Sequence, residues 1–256
     1  MSALFFSLLT AALYVFISIF TSLLYKKLFF SKSHYNFILS FAFGVLLATV
    51  FFSIMPYAIE NLSINLIITY FVAGFLTFLL LENFIHHNHC KKGEKNDKKN
   101  TEKHCHRGLL NVVGDTVHSF IEGIGIAVAY ITSIPIGISL TIASIFHEIP
   151  KEIGDYAVLL KAKHNLAKAT KLNLLASLSI IPGVLLPFIF FDYYENYHYL
   201  KPAILTFLAG MFIYIAFKDI YPSLAHNNST INIIQLMFVF LGIMFIMGLE
   251  FTVHNY

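Results

Sequence analysis

Apolar residues run along this chain in stretches of about twenty, separated by short polar breaks, and a helix of that length crosses the ~30 Å hydrocarbon core of a bilayer. About eight such stretches are readable: 4–25, 36–57, 64–85, 109–131, 134–160, 166–191, 201–222 and 231–251. One polar connection, 86–107, is far longer than a turn. The pattern predicts an all-α integral membrane protein with a single transmembrane domain over 1–256 and a His-, Cys- and Lys-rich loop within it.

Two stretches break the apolar rule at mid-membrane depth, where ionisable groups are costly and by default functional. In the fourth, DTVHSFIEG places Asp115, His118, Ser119 and Glu122 at i, i+3, i+4 and i+7, one face of a helix. In the fifth, HEIPKEIGD places His147, Glu148, Lys151, Glu152 and Asp155 on a second stripe. Only Thr132-Ser133-Ile134-Pro135 lies between the two, room for a tight reversal, so the helices are expected to run antiparallel as neighbours. Reflection about that turn brings His118 level with His147. Pro150 removes one backbone donor inside the fifth stretch and crowds the carbonyl of Phe146, which then either kinks the helix or turns toward an ion.

Composition adds that 57% of residues are hydrophobic and 12% charged, with a mean hydropathy of +0.73, which excludes an ordinary soluble domain. Basic residues follow the first stretch (Lys26, Lys27, Lys32), the third (Lys91 to Arg107) and the fifth (Lys161, Lys163, Lys168, Lys171), all on one side of an eight-span chain. The positive-inside rule puts those loops in the cytoplasm and both termini outside or in a lumen. The net charge of +3 is accounted for by these loops, and no nucleic-acid partner is implied. A plasma membrane and an organelle membrane fit equally. Cys90 and Cys105 are the only cysteines, expected as thiols in a reducing compartment.

The long loop gathers His86, His87, His89, Cys90, His104, Cys105 and His106, ligands suited to zinc or copper, in a spacing that matches no closed finger. It reads either as a transient metal-collecting segment or as a solvated basic loop. Glu60 reads as a helix-end carboxylate or as a collector of cations at the outer mouth. Asp115, Asp155 and Asp219 are further candidates along a pathway. The first and sixth spans carry no acid and read as scaffold.

Imidazole and carboxylate at one depth suit a borderline divalent cation. With neutral histidines, Glu122, Glu148 and Glu152 bring three negative charges and Lys151 one positive, so one divalent ion balances the remainder. The same residues also suit a polar network that merely joins two helices. Zinc hydrolases need a second histidine four residues after the first, where this chain has Lys151. A membrane-embedded zinc hydrolase and a non-transporting metal sensor remain the alternatives to a carrier, which is not an enzyme.

At these residues the sequence resembles the ZIP family of divalent-metal transporters. HSFIEG is similar to that family's HNxxDG or HNxPEG, HEIPKEIGD to the HExPHExGD of one branch, and GMFIYIAFKDIYPSL to its seventh-span pattern. The resemblance implies a three-plus-two-plus-three bundle with inverted repeats around spans four and five, a candidate homodimer, and movement of zinc, iron or manganese into the cytoplasm as cargo. Carried over by position, His118, Glu122, His147 and Glu148 are the implied metal ligands, with Ser119 where the family has Asn. Lys151 stands where the family has a ligand, and a tethered ammonium there is expected to replace one metal ion. Pro150, Lys151 and Glu152 are therefore expected to modulate the site.

Overall fold

In lipid each backbone polar group must be paired within the protein, and apolar stretches of this length meet that demand as helices. The computed structural model describes residues 2–24, 32–90, 97–161, 165–191, 199–221 and 232–254. Among them the chain forms α1 (Ser2–Leu24), α2 (Lys32–Ala48), α3 (Met55–Asn61), α4 (Ile64–Cys90), α5 (Asp97–Thr132), α6 (Ile134–Lys161), α7 (Leu166–Ser177), α8 (Ile180–Phe191), α9 (Leu200–Ile215) and α10 (Ile233–His254). Seven stretches are long and apolar enough to cross a membrane, matching the expected spans one to four and six to eight. The fifth, α6, has the length for a crossing at 28 residues, and its polar stripe sets it apart.

Outward-facing Phe5, Phe16, Ile189, Ile233, Phe240 and Phe251 are exposed and form an apolar coat suited to acyl chains. Inside, Tyr14, Ile126, Leu140, Leu205 and Phe212 are fully buried around α5 and α6. Small residues let the surrounding helices approach to backbone contact. A Cβ at Gly44 of α2 would overlap the Val239 carbonyl of α10, and one at Gly242 would overlap that of Phe41. The same reciprocal crossing joins α4 to α9, at Gly74 against Phe207 and Gly210 against Phe71.

Two π turns mark the second and seventh spans, Thr49–Ile54 and Ala216–Ile220, each ending two residues before a proline, Pro56 and Pro222. A proline ring collides with the carbonyl four residues earlier, and widening the turn relieves that collision. The π turns match span two with span seven, and the crossing of span two on span eight has its counterpart in that of span seven on span three. That is the correspondence expected of inverted repeats.

The sixth span is two helices, not one. It breaks at Leu178–Ser179, where Pro182 lacks the N–H that would continue the ladder to Leu178; the Leu178 carbonyl accepts from the Ile181 N–H at 3.2 Å, and the Ser179 hydroxyl shares its one proton between the carbonyls of Thr116 (2.7 Å) and Ala176 (2.6 Å). The reversal between α5 and α6 is tighter than the four residues expected: Ser133 alone separates them. Its hydroxyl caps α6 by accepting from the Ile136 N–H at 3.3 Å, with Pro135 in the first turn where a missing donor costs nothing.

Candidate metal site

The antiparallel pair α5 and α6 brings the two stripes together as the reflection about Ser133 requires. The Nε2 atoms of His118 and His147 are 3.5 Å apart. Glu122 lies one turn beyond His118, with Oε2 3.3 Å from His118 Nε2 and Oε1 3.5 Å from His147 Nε2. Glu148 completes the group: one donor atom from each of the four side chains lies within 4.8 Å of the others. All four are buried, His118 the least so at 7% exposed. Phe78 of α4 and Phe212 of α9 wall the two imidazoles, each with ring centroids 5.6 Å from its histidine.

The hydrogen bonds fix which atoms are free. His147 Nδ1 lies 2.8 Å from the Ala143 carbonyl, which accepts only from an N–H, so the neutral ring carries its proton there and presents the Nε2 lone pair to the cluster. Glu122 Oε1, facing that lone pair, is buried and has no hydrogen-bond partner among the described residues. Two acceptors turned toward each other in a dry interior repel, and a cation between them removes the conflict.

Lys151 reaches the edge of this group from one turn along α6. Its ammonium donates to both oxygens of Glu148, at 3.1 and 3.0 Å, and is paired with Asp115 of α5. Exposure rises in this direction, to 22% for the Lys151 side chain. Glu152 departs from the charge count made on sequence. It is turned away from the cluster to α7, where Asn173 and the Ser177 hydroxyl (2.9 Å) donate to it. Asp115 takes its place beside Lys151, so the balance of three carboxylates and one ammonium survives with a different third acid. Asp155 lies further along α6 and accepts from Asn111 at 2.9 Å. Pro150 sits inside α6 between Glu148 of the cluster and Lys151.

A family model described as ZIP Zinc transporter matches residues 1–107 and 85–250. The chain belongs to the ZIP zinc transporter family. It is 24% identical to zinc transporter YKE4 of Saccharomyces cerevisiae over 237 residues, 80% of this chain and 68% of that protein. Zinc transporter ZIP13 of Pongo abelii is 30% identical over 208 residues, 76% of this chain and 60% of the relative. Zinc transporter ZIP10 of Danio rerio is 36% identical over 118 residues, 46% of this chain but only 14% of a much longer relative. With its apolar spans, membership makes this a multi-pass integral membrane protein.

Helices of this ZIP chain that read as plain scaffold also supply the site. Tyr14 of α1, fully buried, donates to Glu122 Oε2 at 3.0 Å and lies 3.3 Å from the Ser119 hydroxyl. Ser119 is thus engaged by Tyr14. On the side of Ser133, the hydroxyls of Thr10, Tyr130 and Thr141 form a linked trio (2.9–3.4 Å) that closes α1, α5 and α6 together. Glu250 of α10 accepts from Ser139 of α6 at 2.8 Å and from Ser53 in the first π turn. A lone tyrosine or serine in an apolar stretch carries no periodic signal, so these partners were not readable. Glu60 is exposed at the end of α3, apart from the cluster. The backbone at Asp219 lies in the second π turn, and helix continues through His86, His87, His89 and Cys90 and through His104, Cys105 and His106. The side chains of those eight lie outside the described residues.

Proposed function

We propose that this ZIP chain carries a divalent transition-metal ion, zinc foremost, toward the cytoplasm, and that His118, Glu122, His147 and Glu148 hold the cargo between α5 and α6. The observation that carries this reading is the proton-free face of the cluster: the unpartnered Glu122 Oε1 against the His147 Nε2 lone pair. Two imidazole nitrogens with carboxylate oxygens favour zinc over calcium or magnesium. The relatives' names, all zinc transporters, support the same metal.

Direction rests on charge. The basic connections support a reading in which the Lys151 end of the site faces the cytoplasm and the Ser133 end, closed by the hydroxyl trio, faces the outside. Both termini are then external or luminal. The site holds one ion, because the Lys151 ammonium already occupies the space between Asp115 and Glu148 that a neighbouring cation would take.

Uptake into vesicles by the purified protein, with zinc, iron and manganese in competition, tests the proposal. His147→Ala is expected to cut zinc uptake by about tenfold or more, since even outer-sphere partners of a ligand are worth ~10–100-fold. Uptake by that variant at the parental rate would remove the site from the pathway.

A further inference from the structure

Neither carboxylate of the site is free to turn. Glu148 has both oxygens on the Lys151 ammonium, and Glu122 has Oε2 held by the Tyr14 hydroxyl at 3.0 Å while Oε1 is left without a partner. Tyr14 is itself fixed: its ring is fully buried and its oxygen lies beside Ser119, one turn before Glu122's own position. A carboxylate oxygen that accepts one hydrogen bond keeps a lone pair, but the bond favours binding of a metal through the other oxygen.

We propose that Tyr14 is a positioning residue that sets the coordination number of the cargo: by retaining Oε2 of Glu122 it keeps that ligand monodentate and makes the site select four-coordinate ions over ions that need six or more donors. With Glu122 held to Oε1 by the Tyr14 bond and Glu148 sharing its oxygens with the Lys151 ammonium, the four side chains of the cluster would supply one donor each. Four donors of this type are what zinc takes, whereas manganese and calcium collect six or more oxygens. Freed from Tyr14, Glu122 turns both oxygens to the ion and the count rises. This rests on the cargo site proposed above and concerns how that site chooses.

Cobalt(II) is the probe, because its visible absorption is intense in four-coordinate sites and weak in six-coordinate ones. The full chain, purified in detergent and loaded with cobalt, is expected to show the intense bands. Tyr14→Phe, which keeps the ring and removes the hydroxyl, is expected to weaken them at equal cobalt content. In vesicles the same variant is expected to lose about tenfold in its preference for zinc over manganese, the size carried by a hydrogen bond to a carboxylate. Ser119→Ala, which leaves the tyrosine in place but removes its neighbour, is expected to shift the spectrum in the same direction by less, and it serves as the test if Tyr14→Phe does not fold. Equal band intensity and an equal zinc-to-manganese ratio in the folded variants would overturn the role of Tyr14 alone. Weak bands in the parent would overturn it too, and cobalt that fails to bind the parent at all would overturn the cargo site as well.

Discussion

Lys151 bridges Asp115 and Glu148 with a charge that cannot diffuse away. Replacing it with histidine supplies a neutral nitrogen between two carboxylates, a ligand set that invites a second ion. Metal analysis of purified Lys151→His protein is therefore expected to find about twice the parental zinc per chain. Unchanged content together with unchanged uptake would end the one-ion account. At this scale the sequence was partly legible. Helical spacing and reflection about a short turn brought His118, Glu122, His147 and Glu148 to one depth, where the structure also gathers them, because both operations act within one hairpin. They misassigned the third acid, since a stripe on a helix is wide enough for Glu152 to face α7 while Lys151 faces α5. Tyr14 was invisible for a different reason: its partner is more than a hundred positions away, and nothing local marks it.

The helices themselves were legible where length and hydropathy decide, and less so where proline leaves a choice. Pro56 is met by a π turn and a second π turn ends two positions before Pro222 in the sequence, whereas Pro182 accompanies a break. The choice depends on what neighbouring helices offer the freed carbonyls, which is tertiary information. The sixth span shows the consequence. Without an acid it read as scaffold, yet Asn173 and Ser177 hold the Glu152 carboxylate and so tie α7 to α6. Asn173→Ala leaves a buried carboxylate oxygen without its donor and is expected to cost about 1–3 kcal/mol in stability, read as a lower unfolding temperature, with zinc binding per folded molecule unchanged. A variant of parental stability that has lost its zinc would instead make Glu152 a contributor to the metal site.

For the molecule as a whole, orientation is the property most open to a direct test. Cys90 and Cys105 are the only thiols, and both lie in the basic connection assigned to the cytoplasm. A membrane-impermeant maleimide added outside intact cells that carry the protein in the plasma membrane is expected to leave them unlabelled, with labelling appearing on permeabilisation; labelling of intact cells would invert the assignment. One structural feature bears on how such a molecule works. Since Ser133 alone joins α5 to α6, and its hydroxyl is spent capping α6, the two arms of the site form a fork with no slack at its bend. The arms cannot slide lengthwise past one another without breaking that bend, so His118 and His147 are expected to stay level with each other. Any change in their separation must then come from the arms splaying about Ser133, as a pair of callipers opens about a fixed pivot.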